Sequence, residues 1–132
     1  MQTIKKIWVN GCFDVLHRGH LEMLKYAKSL GDYLIVGIDA DWRVSNAKGD
    51  SRPFNNQQDR KFLLESIKFV DKVIIFETDP ELRGLIYSLS PITMVIGSDY
   101  KDKDVIGSEY AKKVVFFDRI GSYSTTKILE KK

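Results

Sequence analysis

The stretch Ile7-Trp8-Val9-Asn10-Gly11-Cys12-Phe13-Asp14-Val15-Leu16-His17-Arg18-Gly19-His20 decides the fold. It opens as a short apolar run without polar alternation, the pattern of a parallel strand covered on both faces. The run breaks at Asn10-Gly11. Beyond it Leu21, Leu24, Ala27, Lys28 and Leu30 recur at helical spacing, which predicts a helix over about residues 20–30 with Gly31 placed to stop it.

The same alternation continues along the chain. Tyr33-Leu34-Ile35-Val36-Gly37-Ile38, Lys72-Val73-Ile74-Ile75-Phe76, Met94-Val95-Ile96 and Val114-Val115-Phe116-Phe117 read as four further buried strands. Phe62, Leu63, Ile67 and Val70 mark a second helix. Leu82, Leu85, Ile86 and Leu89 mark a third, capped by Asp79-Pro80 and ended by Pro91, and Ser124-Thr125-Thr126 starts a last one. Strand and helix in alternation imply right-handed crossovers and an α/β fold, a three-layer α/β/α sandwich around a five-stranded parallel sheet. Ligands of such sheets bind at the carboxyl ends of the strands, where strand order reverses. Residues 41–56 are polar, contain Gly49 and Pro53, and read as one long loop of the kind that often carries function.

Composition sets the outer bounds. The chain has 132 residues, 43% hydrophobic and 30% charged, which suits one domain over residues 1–132. Twenty-one basic and 18 acidic residues give a net charge of +3 with the signs mixed, a poor footprint for nucleic-acid binding. No apolar run approaches the roughly 18 residues that cross a bilayer. The single cysteine, Cys12, forms no internal disulfide, and with no signal peptide evident it points to a reducing cytoplasm.

Both histidines of the chain, His17 and His20, lie in the opening stretch, spaced i, i+3 around Gly19. They sit where a strand hands over to a helix start, whose unpaired N–H groups and dipole favour an anion. Two surface histidines near a helix start are the plain structural reading. Zinc is another, but no third histidine exists, and only a distant carboxylate or Cys12 is left to complete a site.

Gly11-Cys12-Phe13-Asp14 followed by His17-Arg18-Gly19-His20 resembles the HxGH signature of the cytidylyltransferase-like nucleotidyltransferase superfamily. Gly121-Ser122-Tyr123-Ser124-Thr125-Thr126-Lys127-Ile128 is similar to that family's second element, with one extra residue before the serine. The resemblance spans nearly the whole chain. It implies a Rossmann-like fold, a divalent cation (usually Mg2+), no covalent enzyme intermediate, and a homodimer. It also implies joining of a nucleoside triphosphate to a phosphorylated acceptor with release of pyrophosphate.

The residues suit that chemistry. An acceptor phosphate oxygen attacks the α-phosphorus in line, so catalysis is positioning and charge neutralisation, with no protein nucleophile. His17, His20 and Lys48 are the catalytic candidates. Gly11, Cys12, Phe13, Asp14, Gly19, Gly97, Asp99, Arg119, Tyr123, Ser124, Thr125 and Thr126 are candidates for holding the nucleotide, and Asp39, Arg52 and Arg60 the acceptor. Each has a plainer alternative. Ser124 is a possible simple helix cap, Asp14 and Asp39 are metal or ribose ligands or caps, and Arg60 is a phosphate clamp or a helical ion-pair partner of Asp59 or Glu65. Cys12 is read as a small residue packed behind the loop.

Two branches of the superfamily compete for the substrate. Lys48-Gly49-Asp50-Ser51-Arg52-Pro53-Phe54-Asn55, Arg60, Gly97-Ser98-Asp99-Tyr100 and Val105-Ile106-Gly107-Ser108 resemble the adenylyltransferase domain of bifunctional ADP-heptose synthases. That branch uses ATP and a heptose 1-phosphate; Ser98 departs from its usual second glycine, and the sugar-kinase half is absent, so the acceptor is expected from a separate kinase. Arg119, five residues before Ser124, instead resembles glycerol-3-phosphate cytidylyltransferases. The longer resemblance favours the heptose branch. A catalytically silent nucleotide-binding module on the same fold is a third reading.

Overall fold

A computed structural model describes residues 3–97 and 105–117. The sheet has five parallel strands: β1 (Lys6–Gly11), β2 (Tyr33–Asp39), β3 (Lys72–Phe76), β4 (Thr93–Gly97) and β5 (Lys113–Phe117), in the order β3-β2-β1-β4-β5. The order reverses between β1 and β4, so the crevice expected to take a ligand opens at the carboxyl end of β1.

Period-two alternation assigns the two faces of the sheet. Ile7 and Val9 of β1, Leu34, Val36 and Ile38 of β2, and Val95 of β4 pack with Leu24 and Ala27 of α1 (Arg18–Ser29) and Leu64 of α3 (Gln57–Glu65). Trp8, Ile35, Met94 and Ile96 point the other way, onto Leu82 and Ile86 of α4 (Asp79–Leu89). Trp8 is fully buried beside Gly37 of the neighbouring strand, where a Cβ would lie 2.5 Å from the indole. Only glycine leaves room for that ring.

The expected five strands and three-layer architecture stand, while several local readings are corrected. Residues 41–56 are not one loop: α2 (Asp41–Lys48) occupies the first half. It buries only Val44 and has no side-chain cap, so neither an apolar stripe nor a start signal marks it. Helix α3 ends at Glu65, before Ile67 and Val70. Its Phe62 and Leu63 are exposed, and its buried residues are Arg60 and Leu64. The apolar pattern misled there because the buried stripe includes a charged residue. Thr78, not Asp79, caps α4 by accepting from the Glu81 amide at 3.1 Å, and Ser90, left-handed at φ 47°, ends it before Pro91. The last helix expected from Ser124 lies outside the described residues. No helix among the described residues is long and apolar enough to cross a membrane.

Candidate active site

Helix α1 is started by histidines. The His17 imidazole Nδ1 accepts from the backbone amides of Gly19 at 3.0 Å and His20 at 3.4 Å, while His20 Nδ1 accepts from the amide of His17 at 3.3 Å. This is a reciprocal capping box in which imidazoles replace the usual hydroxyl and carboxylate. It has a chemical result. With both Nδ1 atoms accepting, the proton of each neutral ring sits on Nε2, so each ring can present a donor there.

The two rings stack at 3.8 Å between centroids with 22° between planes. Phe13 meets His20 edge-on at 5.3 Å and is itself held at φ 49°, a left-handed conformation costly for a side chain of its size. Burial, then the neighbouring His17, then the charge of Lys48 push the His20 pKa down to about 4. His20 is therefore a neutral hydrogen-bond donor at pH 7. Lys48 is exposed at the last turn of α2, and its charge acts on both His20 and Cys12.

The segment after α2 is fastened to this turn through Asp14. Its buried carboxylate accepts from Arg52 Nε at 2.6 Å and from the amides of Phe54 and Asn55 at 2.9 Å each. Asn55 Nδ2 donates to the Asp14 carbonyl at 2.9 Å. Burial alone would raise the Asp14 pKa, but the Asn55 and Phe54 amides and Arg52 together outweigh it and hold the carboxyl below its ordinary range.

Two expectations change here. Arg60 does not face an acceptor: its side chain is 0% exposed and donates to the carbonyls of Asn55, Cys12 and Asp39 and to Asp41 Oδ1. Neither Asp59 nor Glu65 is its partner. Asp14 is engaged with the loop, and Asp39 pairs with Arg43 Nε at 2.9 Å and accepts from Cys12 Sγ at 3.6 Å. Among the described residues no group of three or more His, Cys, Asp or Glu gathers to hold a metal, so the two strand-end carboxylates do not fit a dedicated cation cage. Burial and the Asp39 charge push the Cys12 thiol up to about 11, which makes it unreactive packing.

The structure thus brings together Gly11, Cys12, Phe13, Asp14, His17, Gly19 and His20 on one turn, with Arg52 bonded to it and Lys48 acting on it electrostatically. Gly97 ends β4, the strand beside β1. Asp99, Arg119, Tyr123, Ser124, Thr125 and Thr126 lie outside the described residues. Sequence reasoning missed Asn55, which bonds to both Asp14 and Arg60, and no local pattern announces it. It also missed Asn56 as the cap of α3, accepting from the Asp59 amide at 2.8 Å. The Asn pair just before a helical segment was a usable signal for that cap.

The profile of the cytidylyltransferase-like family matches residues 8–131. The chain belongs to the cytidylyltransferase-like family. As a member of it, the chain is a nucleotidyltransferase by family, and the paired imidazoles at β1–α1 lie within the matched residues. Curated relatives include the bifunctional protein HldE of Helicobacter acinonychis, 48% identical over 96% of this chain, and that of Nitratiruptor, 49% identical over 95%. This chain spans 27% of the length of each. Among solved structures, a lipopolysaccharide core biosynthesis protein from Thermoplasma volcanium matches with a TM-score of 0.69 and 27% identity, covering 92% of this chain and 100% of that one. A pantoate-beta-alanine ligase from Francisella tularensis matches at 0.64 with 18% identity, over 93% of this chain and 62% of that one, a likeness of fold alone.

Proposed function

We propose that this chain transfers a nucleoside monophosphate from a nucleoside triphosphate to a phosphorylated sugar, with ATP and D-glycero-D-manno-heptose 1-phosphate as the pair, giving ADP-heptose and pyrophosphate. The observation that carries the substrate choice is the relation to bifunctional HldE proteins at 48% identity along 96% of the chain. It agrees with the resemblance of residues 48–55 to the adenylyltransferase domain of ADP-heptose synthases. The glycerol-3-phosphate cytidylyltransferase reading is not favoured by those relatives.

In this reading an oxygen of the sugar phosphate attacks the α-phosphorus. The bond from the α-phosphorus to the bridging oxygen breaks, and pyrophosphate leaves with the electron pair. His17 and His20, protonated on Nε2, donate to phosphate oxygens on which charge builds, and Lys48 adds a point charge. Gly11, Cys12, Phe13, Asp14, Gly19 and Gly97 frame the nucleotide with Asp99, Arg119, Tyr123, Ser124, Thr125 and Thr126. Arg52, held at one edge by Asp14, has its remaining donors for the acceptor. A divalent cation, Mg2+ in most of the family, would add charge neutralisation on the triphosphate when bound. A single domain, a homodimer and a cytoplasmic setting belong to the same proposal, the last supported by the lone, unreactive Cys12.

The test is pyrophosphate release with ATP or CTP, each paired with heptose 1-phosphate or glycerol 3-phosphate. Turnover confined to ATP with heptose 1-phosphate supports the reading. Preference for CTP with glycerol 3-phosphate replaces it, and nucleotide binding without turnover by any pair identifies a silent module.

A further inference from the structure

Among the described residues Arg60 is the largest charged side chain in the interior, and its guanidinium serves three separate parts of the site at once. Nη1 donates to the Cys12 carbonyl at 2.9 Å and to the Asp39 carbonyl at 2.8 Å, which fixes the chain just beyond β1 to the end of β2. Nε donates to the Asn55 carbonyl at 3.0 Å, and Nη2 to Asp41 Oδ1 at 2.8 Å at the start of α2. Asn55 completes the circuit, since its amide and side chain both donate to Asp14. The helix bearing Lys48 is thus anchored at its first residue by Arg60, and the segment following it is anchored by Asn55. Both anchors lead to residues 12–14, the backbone that carries the chain to His17.

We infer that Arg60 is a positioning residue for nucleotidyl transfer: with Asn55 it sets the place of Lys48 and its loop relative to the His17–His20 turn. The inference rests on the reading of those residues as the phosphate-handling groups. A lysine retains the charge beside Asp41, but it lacks the planar fork and cannot serve three divergent carbonyls and a carboxylate together. Misplacement of reacting groups by about 1 Å is enough to cost on the order of 100-fold in rate, whereas ground-state binding is shared among many contacts.

The experiment compares Arg60→Lys, Asn55→Ala and the stability control Leu64→Val in the full chain. Each is measured for kcat and KM in pyrophosphate release, for thermal midpoint, and for the rate of alkylation of Cys12, the only thiol. Arg60→Lys is expected to lower kcat by at least about 10-fold, with the triphosphate KM within about twofold, and to speed Cys12 alkylation as that carbonyl is released. Asn55→Ala, which leaves the buried charge in place, is expected to show the same split more weakly. Leu64→Val should lower the midpoint without changing either readout. The inference is overturned if Arg60→Lys and Asn55→Ala keep kcat within about twofold of the parent, or if kcat falls equally in Leu64→Val at matched loss of midpoint. If Arg60→Lys does not fold, Asp41→Ala, which removes the Nη2 anchor of α2 and keeps the guanidinium, takes its place and is expected to show the same split. An unaltered chain inactive with every substrate pair removes the proposed function instead, and unchanged alkylation in both variants then overturns the anchoring as well.

Discussion

The imidazoles of His17 and His20 lie face to face at 3.8 Å, each accepting through Nδ1 from a backbone amide of the same turn. Two protonated rings at that distance would repel strongly in a partly buried setting. The turn therefore disfavours a doubly charged pair, and the hydrogen bonds that start the helix also fix which nitrogen carries the proton of a neutral ring.

Replacing His20 by alanine removes one Nε2 donor and half of the capping box. Turnover should fall at least about 100-fold, the scale of one lost transition-state donor, with a stability loss of about 1 kcal/mol for the cap. Pyrophosphate release under saturating substrates and a denaturant titration separate the two. Near-normal turnover would remove the assigned role.

The acid limb of stability carries the signature of His20. Its pKa is about 4 in the fold against 6.5 for an ordinary histidine, so the unfolded chain binds the extra proton first. Stability linked to this group is complete above about pH 6.5 and is lost as pH falls from there to about 4. His20→Gln should flatten the thermal midpoint over that window. Asp14, whose pKa is also depressed, acts in a lower window, as pH falls below the ordinary carboxyl range. An NMR titration placing the His20 ring near 6.5 would contradict the assignment.

Asp14→Ala would strand the Phe54 and Asn55 amides and the Arg52 guanidinium, each now bonded to that carboxylate. Losing a buried, hydrogen-bonded charge partner costs about 3–5 kcal/mol. Urea unfolding should register that loss, with proteolysis newly directed to residues 50–56. A loss below about 1 kcal/mol would show that the carboxylate does not fasten this segment.

Gly37→Ala drives a methyl group to 2.5 Å from the Trp8 ring, between two central strands. Overpacking of this kind costs about 1–3 kcal/mol, and the emission of the buried indole should shift as the ring is displaced. An unchanged melting midpoint would mean the strands part more easily than their pairing suggests.

The sheet was legible because its strands are unbroken apolar runs, and the HxGH turn because two histidines flank one glycine at a strand end. What escaped was decided by tertiary partners. Arg60 looks like any helical surface cation until the carbonyls of Cys12 and Asp39 are brought over it, and Phe62 and Leu63 look like core until that arginine takes the inward face. Asn55 has no sequence signature because its partners are 41 positions upstream and five downstream. Helix α2 hid for another reason: a helix burying one valine has almost no apolar period to read.

The buried guanidinium has one more effect, carried by electronic polarisation. In a trans peptide the C=O and N–H point in opposite directions, and a donor placed on the oxygen draws electron density from the nitrogen. Arg60 holds the Cys12 oxygen, so the amide of Phe13, on the far side of the same peptide plane, becomes a more acidic donor. A guanidinium that never reaches the surface, and that shares its charge with the Asp41 carboxylate, thereby also strengthens the Phe13 amide of the turn as a donor.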